Sequence, residues 1–113
     1  MLQIDKKEAD GVTVLSLNGR LVLGDSSSYL AQQVKQLVSQ QTTKILVNIE
    51  DVTYIDSCGI GDLIASFTTV RKSGGTLKVS GPRGQVLKVL ELVKFPAVVE
   101  VYATQQEALA SFG

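Results

Sequence analysis

The sequence predicts a single α/β domain, residues 1–113, built on a mixed, mostly parallel sheet with an antiparallel N-terminal edge strand and about four helices. Three observations carry this. After an opening hairpin the pattern reads helix, then strand–helix three times, the order that right-handed crossovers lay down as a mostly parallel sheet. The run Ile45-Leu46-Val47-Asn48-Ile49 is apolar except for Asn48, as expected of a strand covered on both faces. The chain has 113 residues, 44% of them apolar, which suits one ordinary core and leaves no room for a second.

The elements follow in order. Val12-Thr13-Val14-Leu15-Ser16-Leu17 is β-branched and partly alternating, and Asp10-Gly11 before it is a hairpin turn signal. Residues 2–8 are then an edge strand paired with residues 12–18. Asn18-Gly19 breaks the run, and Arg20 to Leu23 form a short continuation. Gly24-Asp25-Ser26-Ser27-Ser28 starts a helix, with Asp25 or a serine as N-cap. Leu30, Val34, Leu37 and Val38 recur at helical spacing before the pattern fades through residues 39–43.

Lys44 to Ile49 is the central strand. From near Ile60, the positions Ile60, Leu63, Ile64, Phe67 and Val70 form a helical stripe, which Ser73-Gly74-Gly75 terminates. Thr76–Ser80 is a strand and Gly81-Pro82 a turn. Val86, Leu87, Val89, Leu90 and Val93 mark a third helix, stopped by Phe95-Pro96. Val98–Tyr102 is the last strand, and Thr104-Gln105-Gln106-Glu107 is a capping box opening a helix through Leu109.

Composition excludes several classes. Eleven basic residues balance eleven acidic ones, so no general pull toward nucleic acid or an anionic membrane is expected. The chain contains no histidine, removing the commonest metal ligand and general base. A single cysteine cannot form an internal disulfide, which fits a reducing compartment. No apolar stretch reaches the roughly 18 residues of a membrane span. The expectation is a cytoplasmic domain with no cofactor, no metal, no nucleic-acid partner and no membrane insertion.

The chemistry-bearing residues collect at one strand–helix junction, Tyr54-Ile55-Asp56-Ser57-Cys58-Gly59-Ile60-Gly61-Asp62, where open α/β sheets place their working groups. Gly59-x-Gly61 lacks the third glycine of a dinucleotide loop, since Ile64 stands there, and no Walker-type phosphate loop exists. Cys58 has no histidine to activate it and reads as a small, half-buried thiol. Asp56 and Asp62 are poorly spaced for a carboxylate pair. Catalysis is not expected.

Two readings of the junction remain at this level. Ser57 is a preferred N-cap type and could only close the helix. Alternatively it accepts a phosphate. With a rotation of about 100° per residue, Ser57, Gly61, Ala65, Thr68 and Lys72 fall in a sector of roughly 80° beside the core stripe. That row is small or flexible, so a partner's backbone could approach along it, or a neighbouring element of the same fold could. A phosphoserine carries about −1.5 to −2 charges, which a helix N-terminus tolerates. Against a docked partner, with Asp56 adding repulsion, such an unpaired buried charge costs on the order of 3–5 kcal/mol, roughly two to three decades of affinity.

These residues resemble the STAS domain of bacterial anti-sigma factor antagonists. The likeness spans essentially the whole chain: Leu17-Asn18-Gly19-Arg20-Leu21 resembles the family's G-x-L corner, and Ile45 to Val52 its central strand and turn. Asp56-Ser57-Cys58-Gly59-Ile60-Gly61 is similar to its D-S-[ST]-G-[LI]-G motif. The resemblance implies an unphosphorylated antagonist that binds an anti-sigma factor with serine kinase activity and thereby frees a sigma factor. The kinase phosphorylates the serine after the motif aspartate, and a metal-dependent serine phosphatase reverses this. By position the acceptor is Ser57 and the motif aspartate Asp56, with Gly59 and Gly61 giving the compact turn and partner approach. The expected partner surface is Asp56, Ser57, Cys58, Gly59, Gly61, Ala65, Thr68 and Lys72.

Two positions depart from the family pattern. Val22 stands where many antagonists have aspartate, and Cys58 replaces the second motif hydroxyl, leaving Ser57 as the only hydroxyl within the motif. Val22 keeps open an alternative: a STAS scaffold or regulatory subunit of a signalling or lipid-transport complex, with Ser57 unmodified.

Overall fold

The computed structural model describes residues 2–22 and 25–112, the side chains of 25–28 excepted. The expected N-cap at Asp25 or a neighbouring serine, and Leu23 of the expected strand continuation, lie outside the described residues; Asn18-Gly19 does not break the second strand, which runs on to Leu21 with register shifts on either side of that pair, and Val22 is no longer strand. One sheet carries five strands in the order β1-β2-β3-β4-β5. β1 (Gln3–Ala9) and β2 (Val12–Leu21) form the antiparallel hairpin. Asp10 and Gly11 between them have φ of 54° and 79°, the two left-handed residues of a turn whose twist matches the strands it joins.

Parallel crossovers follow: α1 (Asp25–Ser39) leads to β3 (Lys44–Ile55), α2 (Ser57–Lys72) to β4 (Thr76–Ser80), and α3 (Gly84–Leu92) to β5 (Val101–Tyr102), with α4 (Gln105–Phe112) last. Each crossover joins adjacent strands and steps the same way across the sheet. Crossovers of one hand then leave α1, α2 and α3 on a single face. That face holds the main core, with Leu15, Leu17, Ile45, Val47, Ile49, Leu77 and Val79 of the strands meeting Leu30, Val34, Leu63, Val70, Val86 and Leu90 of the helices. Each fully buried leucine or isoleucine contributes about 1.5–3 kcal/mol of burial.

The opposite face needs its own cover, which α4 supplies. Ala108 is buried against Val12, Val14 and Leu46, with Leu109 and Phe112 alongside. Lys78, only 7% exposed, anchors this helix: its Nζ donates to the Ser111 carbonyl at 3.1 Å and to Ser111 Oγ at 2.9 Å, and lies 4.8 Å from the Phe112 ring centroid. The expected cap at Thr104 is present, with Glu107 N–H donating to Thr104 Oγ1 at 3.1 Å, and the Glu107 carboxylate accepts from the Thr104 hydroxyl at 3.1 Å. No helix among the described residues is long and apolar enough to cross a membrane.

Two boundaries differ from expectation for physical reasons, and one helical stripe is narrower than expected. β3 runs to Ile55 instead of stopping at Ile49, because register shifts against β2 change the spacing of core-facing residues to three. Ile49, Val52 and Ile55 are all buried although they do not alternate. The last strand shrinks to Val101–Tyr102, because a 3-10 turn at Phe95–Ala97 draws the Val98 and Val99 N–H groups onto the Phe95 carbonyl. On α3 only Val86 and Leu90 are buried; Leu87 and Val93, expected in the stripe, are exposed.

β3 is therefore longer than its neighbour on one side. β4 ends at Ser80, opposite Asn48, so residues 49–55 overhang with β2 alone as strand partner. The overhang leads straight into the junction.

Candidate functional site

α2 begins at Ser57, earlier than its apolar stripe near Ile60 suggests, and its N-cap is Asp56. The Asp56 backbone is extended, at φ −115° and ψ −176°, and its Oδ1 accepts from Gly59 N–H at 2.9 Å. The reading of Ser57 as a plain cap is corrected: the carboxylate, one residue earlier, takes that role, and Ser57 is the first helical residue with an exposed side chain. An ionised cap is a stronger acceptor than a hydroxyl and also complements the helix dipole.

The glycines of the motif divide. A Cβ placed on Gly59 would lie 2.1 Å from the Leu21 carbonyl oxygen and 2.9 Å from Ile55 Cγ1. Gly59 therefore serves the fold's own packing, letting α2 sit directly on β2, and is buried. At Gly61 a Cβ would meet nothing within 4 Å. Ser57, Gly61, Ala65, Thr68 and Lys72 are all exposed, so among the described residues the small-residue row is an open surface and not a seat for a neighbouring element. Cys58 is exposed as well, in place of the half-buried position expected of it. Thr68 Oγ1 donates back to the Ile64 carbonyl at 3.0 Å.

The buried side of α2 is the expected one, with Ile60, Leu63 and Val70 in the core and Ile64 and Phe67 packed at its margin. Two buried side-chain oxygens on this helix have no hydrogen-bond partner among the described residues: Asp62 Oδ2 and Ser66 Oγ, one turn apart. Burial pushes the Asp62 carboxyl up from 3.8 to about 6. Asp62 thus lies on the flank of the row as a half-buried acid, and no second carboxylate bonds it.

The overhang of β3 is held from both sides. Toward β2, Asp56 N–H donates to the Leu21 carbonyl at 3.4 Å and Thr53 Oγ1 to the Gly19 carbonyl at 3.3 Å. Arg20 stacks on Tyr54, its guanidinium carbon 5.2 Å from the ring centroid. On the side vacated by β4, Arg83 Nε donates to the Glu50 carbonyl at 3.2 Å. Gln85 brackets Ile55: Ile55 N–H donates to Gln85 Oε1 and Gln85 Nε2 donates to the Ile55 carbonyl, both at 3.2 Å. Neither Arg83 nor Gln85 stands out in the sequence, since the motif ends long before them. Among the described residues no group of three acids or cysteines is placed to hold a metal ion.

The described surface also has a cleft of about 220 Å³ lined by Phe67, Arg71, Gly75, Thr76, Leu77, Val98 and Glu100. It lies at the C-terminal end of α2, away from Ser57, and converges no reactive groups.

Comparison with known proteins agrees with this fold. The model of the STAS domain family matches residues 3–108. A Thermotoga maritima protein, provisionally named an anti-sigma factor antagonist, is 26% identical over 103 residues, 91% of each chain. A crystal structure from that organism, under the same provisional name, superposes with a TM-score of 0.86 at 25% identity, covering 96% of this chain and 92% of the other. The anti-sigma F factor antagonist of Paenibacillus polymyxa is 22% identical over 108 residues, 96% of this chain and 92% of its own. The Bacillus cell fate determinant SpoIIAA, solved in unphosphorylated and phosphorylated forms, shares the fold with a TM-score of 0.72 at 19% identity; the unphosphorylated form covers 99% of this chain and 97% of its own. With a family model spanning nearly its whole length and a five-stranded sheet of the same architecture, this chain belongs to the STAS domain family.

Proposed function

We propose that this protein is an anti-sigma factor antagonist whose binding surface is the exposed row on α2 and whose switch is phosphorylation of Ser57. The observation that carries the proposal is the division of labour at the helix start. Asp56 closes the helix, so the Ser57 hydroxyl is not consumed by the fold, and it projects at the head of Gly61, Ala65, Thr68 and Lys72. The names of the relatives support the partner class, an anti-sigma factor, and the phosphorylated form of SpoIIAA supports the chemistry.

The chain's own residues contribute presentation and tolerance. An anti-sigma factor with serine kinase activity would transfer the γ-phosphoryl of ATP to Ser57 Oγ: the new Oγ–P bond replaces the β,γ bridge, ADP leaves, and the hydroxyl proton passes to a base on the kinase. The first N–H groups of a helix have no intrahelical acceptor, so phosphate there is stabilised within the domain. The first turn of α2 contains no acid, so the Asp56 carboxylate is the charge next to Ser57 along the helix start. Its charge and the phosphate together disfavour a docked partner without unfolding the domain. A metal-dependent serine phosphatase restores the binding form by hydrolysing the phosphate.

The test is capture of partners from the native cell on immobilised protein, followed by reaction of a captured anti-sigma factor with ATP. One phosphate should appear, located on Ser57 by mass spectrometry and absent in Ser57→Ala, and Ser57→Asp should lose affinity by two decades or more. Phosphate at another residue, or unchanged affinity of Ser57→Asp, defeats the proposal. Capture of transporter subunits with no kinase would favour the scaffold alternative.

A further inference from the structure

The side-chain amide of Gln85 occupies the place of a missing strand. β3 overhangs β4 from residue 49 onward, because the last β3–β4 pair is Asn48 with Ser80. A strand overhanging its partner leaves backbone N–H and C=O groups that must be satisfied by something else. At Ile55, 1% exposed, water cannot do this. Gln85, in the first turn of α3, supplies one donor and one acceptor in the arrangement of a peptide group, with Ile55 N–H to Oε1 and Nε2 to the Ile55 carbonyl at 3.2 Å each.

Ile55 is the residue from which the junction is aimed. Its other neighbour is Leu21 of β2, whose carbonyl receives Asp56 N–H at 3.4 Å and blocks any Cβ at Gly59. Ile55 is thus gripped between β2 and Gln85, and the next two residues are the cap and the candidate acceptor. With Ile55 held on one side only, the chain could rotate about its own axis and carry the Asp56 carboxylate off Gly59 N–H.

We infer that Gln85 is a positioning residue for Ser57, fixing through Ile55 the direction in which the α2 N-terminus presents its hydroxyl. This rests on the reading of Ser57 as the phosphoacceptor. It makes α3 a structural partner of the site although no α3 side chain belongs to the motif, and it assigns the carboxamide a role that shape alone cannot fill.

Two variants of the full chain separate those contributions. Gln85→Met keeps the side-chain length and removes both hydrogen bonds, and Gln85→Ala also removes the packing. Amide hydrogen exchange on the free protein is the first readout. In Gln85→Met the Ile55 and Gly59 amides should exchange about tenfold faster or more, while Leu15 and Val47 amides in the core stay as they are. A purely structural role would raise exchange everywhere together, and that result, like unchanged Gly59 exchange, overturns the inference.

The second readout uses a serine kinase that modifies the unsubstituted chain at Ser57. There kcat should fall by about tenfold or more with KM little changed, as expected when a reacting group is misaimed but still bound. Equal kcat in Gln85→Met overturns the inference. If no kinase modifies Ser57 in any variant, the phosphoacceptor reading fails, and the exchange measurement still decides whether Gln85 holds the junction.

Discussion

Two alanines, two residues apart, should act in opposite directions. At Gly59 the new Cβ would stand 2.1 Å from the Leu21 carbonyl oxygen and 2.9 Å from Leu21 C. Both are main-chain atoms of a central strand, so no side-chain rotation relieves them; α2 has to lift from β2. Overpacking of this kind costs typically 1–3 kcal/mol, and a backbone obstacle places Gly59→Ala at or above the upper end. Alanine's better helix propensity returns up to about 1 kcal/mol, leaving a net loss of about 2 kcal/mol. At Gly61 the added methyl meets nothing within 4 Å, so Gly61→Ala keeps the propensity gain and stabilises by about 0.5–1 kcal/mol. For a domain of this length 1 kcal/mol moves Tm by roughly 4 °C. Gly59→Ala should melt about 8 °C lower and Gly61→Ala a few degrees higher than the parent, with urea midpoints shifting the same way at constant slope. The same Gly61→Ala should weaken capture of the anti-sigma partner, because its methyl projects onto the open row. Equal melting shifts at the two positions, or a destabilised Gly61→Ala, would refute the assignment of one glycine to the fold and the other to the surface.

Asp62 gives a pH prediction. Its folded pKa is raised to about 6 from 3.8, so between these values the native state binds more protons than the unfolded state, and stability falls as pH rises through that window. Because the carboxyl is only half-buried, solvent screening cuts the penalty to about 1–2 kcal/mol. Asp62→Asn should therefore gain about that much at pH 7.5, measured by urea denaturation, gain little at pH 3.5, and flatten the slope between; a gain equal at both pH values would contradict the burial explanation. Asp56→Ala, which removes the N-cap, should lose about 1 kcal/mol or somewhat more, whereas Asp56→Asn should keep nearly all of it, since the two side chains cap comparably. Thermal melts read this directly, and a loss of the same size in Asp56→Asn would mean that charge, not the cap bond, carries the effect. Lys78→Ala leaves α4 without its bonds to Ser111 and should cost about 2 kcal/mol, with faster amide exchange confined to residues 105–112. Uniform exchange would show that α4 is not separately anchored.

Local chemistry made much of this protein legible without coordinates. The Asp10-Gly11 turn, the strand Thr76–Ser80, the glycine stop after Lys72 and the Thr104–Glu107 cap each depend on residues within a few positions of one another, and all four are found where expected. The same holds for the family motif, which is a contiguous run. The end of β3 was not legible, because its core-facing residues change spacing through a register shift dictated by β2. Nor was the extent of β5, which depends on how the 3-10 turn spends its hydrogen bonds.

At the junction the sequence by itself determined that an acid, a hydroxyl and a thiol meet a helix start beside a row of small residues. Tertiary structure decided which of them the fold consumes. Asp56 became the cap, and Gly59 was taken by Leu21, an oxygen thirty-eight positions earlier in the chain. Ser57 and Gly61 were left at the surface. Helical spacing places residues around an axis, but it contains nothing about what packs against each side. That comes from contacts between distant segments, and Gln85 on Ile55, thirty residues apart, is the clearest of them.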